Sequence, residues 1–123
     1  MQANEYLFYG LGIIAFVVAH ADGEVQMSER KELREIVRVW SEEVDADFDI
    51  AEIIFSILLK SKHHEEISYE SGMKYIRLGS NHLDESLKEK FLFLIRDIAH
   101  SWPGVTETEK SIVNRFKADL HEL

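Results

Sequence analysis

Residues 6–19 read YLFYGLGIIAFVVA, with no charged residue among them. At about 100° per residue, a helix built from this run carries apolar side chains on nearly every side and keeps no face for water. Such a helix has to be surrounded by others. The sequence therefore predicts a central helix over about Asn4–Ala21 and, around it, an all-α fold. The run is too short to span a bilayer, and the residues ahead of it contain Glu5 but no Lys or Arg, so it reads neither as a membrane anchor nor as a secretory leader. Gly10 and Gly12 weaken the helix locally and leave room for a neighbour to come close.

Helical periodicity continues downstream, and the single proline, Pro103, lies outside every expected helix interior. Leu33, Ile36, Val37 and Trp40 form one stripe of a second helix, about Met27–Trp40. After an acidic connector, in which Asp47 or Asp49 can cap, a third helix over about Phe48–Ser61 sets Ala51, Ile54, Phe55, Leu58 and Leu59 on one side. A weaker fourth helix, about Glu65–Gly79, uses Tyr69, Met73 and Ile76, and Gly79-Ser80-Asn81 ends it with residues that tolerate left-handed geometry. Asp84 caps a fifth helix, about Asp84–Ser101, with Leu87, Phe91, Leu94, Ile95 and Ile98 inward. A sixth, about Glu107–Leu120, turns Ile112, Val113 and Phe116 inward. Length and the lack of any composition break make residues 1–123 one domain.

A shift of 80 residues superposes Ile14-x-x-x-Val18-Ala19-His20 on Leu94-x-x-x-Ile98-Ala99-His100, and Val25-x-x-x-Glu29 on Val105-x-x-x-Glu109, without a gap. Leu33, Ile36 and Trp40 fall on Val113, Phe116 and Leu120. The expected architecture is a compact bundle of about six helices containing two pseudo-symmetric helical hairpins.

The motif Ala21-Asp22-Gly23-Glu24-Val25, followed by Ser28-Glu29-Arg30, placed after an apolar helix and echoed near the C-terminus, resembles the TerB-like domain family. That family includes tellurite-resistance TerB proteins and the N-terminal domain of a DnaJ-type co-chaperone, and the resemblance covers nearly the whole chain in helix order. It implies a helical bundle in a bacterial stress or tellurite-resistance setting, no enzymatic chemistry, and divalent-metal binding through acidic residues. Trp102-Pro103-Gly104 stands where the family has a second acidic turn, so Asp22 and Glu24 have no acidic twins.

Asp22-Gly23-x-Val25-x-x-x-Glu29 also matches the back half of an EF-hand loop, but the front ligand positions fall on Val18 and His20, inside or at the end of the apolar helix. The alternative is structural: Asp22-Gly23 turns the chain and Glu29 completes a cap, as Glu109 does with Thr106 in a capping box. A weakly bound divalent cation on Asp22 and Glu24 is compatible with that turn. His20 and His100 are equivalent in the repeat. They either join this acidic turn as metal ligands or each close a helix by bonding its last carbonyls. Arg30, Arg34 and Arg38, at i, i+4 and i+8, form a basic stripe that is either neutralised by Glu35 and the acids of residues 42–49 or serves as a docking strip for an acidic partner.

A net charge of −9 repels phosphate, so nucleic acid is not an expected partner, whereas proteins and cations are. Self-association is compatible with the sequence. The absence of cysteine excludes disulfides and thiolate chemistry and fits a reducing, cytoplasmic setting. No phosphate-binding glycine loop, nucleophile elbow or His-Glu-x-x-His motif occurs, and the expectation is a protein that is not an enzyme.

Overall fold

The computed structural model describes residues 2–21, 27–61, 66–101 and 106–123. Among them run six α-helices and no strand: α1 (Ala3–Ala19), α2 (Met27–Glu43), α3 (Phe48–Lys60), α4 (Tyr69–Leu78), α5 (Glu85–Ala99) and α6 (Glu107–His121), with a 3-10 turn over Ser80–His82. The all-α bundle expected from the periodicity is what the chain forms. No helix among the described residues is long and apolar enough to cross a membrane.

The apolar run does become the centre. Helix α1 packs against α3, α4, α5 and α6, and Leu7, Phe8, Leu11, Ile13, Ile14 and Val18 are almost wholly buried. Its two glycines, about 200° apart around the helix axis, face different neighbours. A methyl group on Gly12 would stand 2.9 Å from both the Ala51 carbonyl oxygen and Ile54 Cβ of α3, and one on Gly10 would stand 2.5 Å from the Gly72 carbonyl oxygen of α4. Gly72 answers from the other side, because a methyl there would meet Ile14 Cδ1 at 2.6 Å. The α1–α4 crossing is thus a contact of backbone on backbone, made where both helices lack a side chain.

Phenylalanines fill the space between α1, α3 and α5. Phe8 meets Phe48 and Phe91 edge-on at 5.0 and 5.3 Å between ring centres, and Phe48 meets Phe91 at 6.0 Å in the same T-shaped manner, the geometry that aligns ring edges with ring faces. Trp40 of α2 leans on Phe48 at 5.4 Å, and its Nε1–H donates to Asp97 of α5 at 2.9 Å, so an apolar face and a polar tip tie three helices together.

The 80-residue repeat is visible in the helix boundaries. Helices α1 and α5 end at Ala19 and Ala99, and α2 and α6 begin at Met27 and Glu107, so both boundaries recur at the offset found in the sequence. The closing residues His20 and His100 share nearly the same backbone angles (φ −98°, ψ 5° and φ −94°, ψ 8°). Packing follows the pseudo-dyad in part, since α1 touches α6 and α5 touches α2, while α2 leans most heavily on α3.

Several local expectations are corrected. Helix α4 begins at Tyr69, because Ser68 stops it there: Ser68 Oγ accepts from Ser71 N at 3.2 Å and Ser71 Oγ accepts from Ser68 N at 2.9 Å. This reciprocal box uses serine where Glu or Gln is the usual partner. Gly79 ends the helix at φ −100°, not in the left-handed region; the glycine is needed because any Cβ would collide with the Ala3 carbonyl oxygen. Asp47 precedes α3 with helical backbone angles (φ −66°, ψ −20°) and makes no capping bond, because a cap works from an extended backbone. The Asp45 side chain accepts from Asp47 N at 3.0 Å instead. Helix α2 runs one turn past Trp40, to Glu43, where Glu42 pairs back to Arg38.

Two expected caps form. Asp84 Oδ1 accepts from Leu87 N at 2.8 Å, and Thr106 Oγ1 accepts from Glu109 N at 3.2 Å while Glu109 Oε1 accepts from Thr106 N at 3.3 Å. Glu109 is held at 5% exposure, a carboxylate out of water whose oxygen is engaged by the first turn of α6. Thr106→Ala is therefore expected to lower unfolding free energy by about 1 kcal/mol, and Thr106→Ser by much less, in chemical denaturation.

Candidate partner-binding site

Of the residues singled out in the sequence, the two histidines are placed as helix terminators. His20 Nδ1 lies 3.3 Å from the Phe16 carbonyl oxygen and His100 Nδ1 lies 2.8 Å from that of Arg96. A carbonyl oxygen can only accept, so Nδ1 carries the proton in each ring. In a neutral ring that leaves Nε2 as the basic nitrogen, the tautomer a metal would need. His20 is half-buried and stacks on Phe16 at 4.1 Å, while His100 is exposed beside Asp97 in a shallow groove between α2 and α5. Asp22 and Glu24, the acidic half of the metal reading, lie outside the described residues, as does Trp102-Pro103-Gly104. Among the described residues no group of three or more His, Asp or Glu side chains converges as a metal site.

The basic stripe of α2 is divided by the structure. Arg38 is neutralised on both sides: its Nε donates to Glu35 Oε2 at 2.9 Å, its Nη2 donates to Glu35 Oε1, and its Nη1 donates to Glu42 Oε1 at 2.6 Å. These bonds hold the Glu35 carboxyl below its usual range and raise the Arg38 guanidinium above its own. Arg30 and Arg34 have no ion-pair partner among the described residues, and neither does Lys60. All three line one cleft of about 180 Å³ between the start of α2 and the end of α3, with Leu59 at its floor.

Arg30 is the unusual member. Its Nε is shut off from solvent yet has no hydrogen-bond partner. A buried donor left in that condition costs about 1–3 kcal/mol, more for a charged group. A second hollow, which shares Arg34 with the cleft, is lined by Lys31, Arg34, Glu35, Arg38, Glu52 and Ser56. There burial, with Asp49 close by, pushes the Glu52 carboxyl above the usual range.

A roomier groove of about 500 Å³ lies between α5 and α6, with Leu92, Ala118 and Leu120 among its lining. Its charges are mixed, and Lys88 is already engaged by Glu85 at 3.1 Å and by the Leu123 carbonyl oxygen at 2.5 Å. Helices α4 and α6 are joined by another polar cluster. The Tyr69 hydroxyl donates to Asp119 Oδ2 at 2.5 Å, and Arg115 lies 4.1 Å over the Tyr69 ring while pairing with Glu70. Burial, then the bond to Asp119, raises the Tyr69 phenol well above an ordinary tyrosine. This cluster staples two helices.

No family model, curated protein or solved structure matches the chain. The reading of the site rests on its own chemistry, which separates a satisfied arginine from two unsatisfied ones on the same helix.

The sequence marks that separation. Arg38 has acids three residues before it and four after it, Glu35 and Glu42, whereas Arg34 has Lys31 and Arg38 at those positions, and Arg30 has Met27 and Arg34. Helical neighbours at i±3 and i±4 thus neutralise one arginine and leave two in surplus. Lys60 could not be read this way. It belongs to α3 and joins the cluster only because α2 and α3 pack together.

Proposed function

We propose that the protein is a non-enzymatic, TerB-like helical module that acts by binding other proteins, in a bacterial stress or tellurite-resistance setting. The observation that carries the binding role is the surplus of cations in the α2–α3 cleft of a chain whose net charge is −9. Local acids are plentiful, yet Arg30, Arg34 and Lys60 are paired with none of those described. The setting is supported by the resemblance carried by Ala21-Asp22-Gly23-Glu24-Val25, Glu29 and the repeat, whose helix boundaries recur at the same offset in the fold. A second reading, divalent-cation binding by Asp22 and Glu24 with His20 or His100, draws on the Nδ1–H tautomer of both imidazoles.

Proximity labelling of the tagged protein in bacteria, with and without tellurite, tests the binding role. Partner proteins should be labelled above the level given by an unrelated helical bundle, and an identical pattern for the two would defeat the reading. Calorimetric titration with calcium, magnesium and zinc tests the second reading, where saturable binding lost in Asp22→Asn is the expected result and no saturable binding to the wild type defeats it.

A further inference from the structure

We infer that the α2–α3 cleft seats a carboxylate from an amphipathic, acidic segment of a partner protein, with Arg30, Arg34 and Lys60 holding the charge and Ile57 and Ile53 receiving the apolar side. This rests on the protein-binding role proposed above and names the chemistry of the partner. Two observations independent of each other lead to it. The first is the cleft, where Arg30, Arg34 and Lys60, without an ion-pair partner among the described residues, surround a space of about 180 Å³, small enough for one anionic group rather than a polyanion. Guanidinium groups bond carboxylates through two parallel N–H donors, so two arginines one turn apart suit such a group.

The second is the surface beside it. Ile57 and Ile53 lie three and seven residues before Lys60 on α3, hence on the same side of that helix, and remain 57% and 52% exposed although the helix is otherwise well packed. Large isoleucines on the face that carries the cleft's third cation provide contact area that a free inorganic anion would not use. A membrane surface or nucleic acid would bring many negative charges against the field of a −9 protein. A short segment with a few carboxylates and an apolar stripe matches both features at the least electrostatic cost. Such a segment binds as a helix laid along a groove and is read through anchors at i, i+3, i+4 and i+7.

The test uses a fluorescent synthetic peptide of about fifteen residues, with Leu at those anchor positions and Glu between them, titrated against the full chain by fluorescence anisotropy. The expected result is saturable binding that weakens at least about tenfold in Arg30→Gln/Arg34→Gln, weakens in Lys60→Gln and Ile57→Asn, and falls as salt is raised. A matched peptide with Gln in place of Glu should not bind. Circular dichroism and denaturation of each variant establish that the fold is intact. Binding that survives the double arginine substitution overturns the inference, as does failure of the wild type to bind. Inorganic phosphate binding in the cleft when the peptide does not would also overturn it and make this a small-anion site. If the peptide fails while proximity labelling still finds partners, the partner chemistry named here is wrong and the binding role stands. If labelling finds none, the role itself falls.

Discussion

Alanine at position 10 should destabilise the protein, although alanine in place of an exposed helical glycine is worth about 1 kcal/mol in the opposite direction. The sign reverses because the added methyl would sit 2.5 Å from the Gly72 carbonyl oxygen and 2.7 Å from Ile76 Cγ1. The oxygen belongs to a helix backbone and cannot rotate away, so α4 as a whole has to retreat from α1. Overpacking of this kind costs about 1–3 kcal/mol net, and Gly10→Leu should cost more. Gly72→Ala strains the same crossing from the other side, through Ile14 Cδ1. Because one separation of the two helices relieves both clashes, the double variant should lose less than the sum of the single losses. Denaturation of the three variants measures this. Stabilisation by Gly10→Ala would mean that the helices do not touch as described.

Removing the Phe91 ring should have an effect at least as large. It is fully buried and packs edge-on against Phe8 and Phe48, so Phe91→Ala leaves a cavity bordered by α1 and α3 that rigid helices cannot close. The expected loss is about 3–5 kcal/mol, or a fall in Tm of roughly 10–20 °C for a domain of this size. Phe91→Leu keeps most of the volume and should lose less. Phe93, two residues along α5 and 47% exposed, is the internal control, and Phe93→Ala should change stability by no more than about 0.5 kcal/mol. Equal losses at positions 91 and 93 in thermal denaturation would contradict the placement of α5.

What could be read from the sequence was what neighbouring residues decide. The burial of α1 follows from the absence of any polar face between Tyr6 and Ala19, and the Asp84 and Thr106 caps follow from residues within one turn of the bonds they make. The errors fall where a distant segment decides. Gly79 is a glycine because of Ala3, which lies near the start of the chain, so its ordinary φ could not be inferred from the turn itself. Ser68 carries no usual capping-box signature because its partner is Ser71 and not a glutamate. The candidate site divides in the same way. The stripe of Arg30, Arg34 and Arg38 is plain in the sequence, and spacing explains why Arg38 is neutralised. The contribution of Lys60, the seclusion of Arg30 Nε and the exposure of Ile53 and Ile57 arise only from the packing of α2 on α3.

The position of α1 also bears on how the chain is made. The helix that must be enclosed is synthesised ahead of every helix that encloses it, since α3, α4, α5 and α6 all follow it in the chain. Until α5 has left the ribosome, Phe8 lacks Phe91, and the side of α1 that α5 and α6 cover stays open. At the pace of translation, about 5–20 residues per second, that interval lasts several seconds. The apolar surface that stabilises the finished bundle is thus the surface whose cover is completed last.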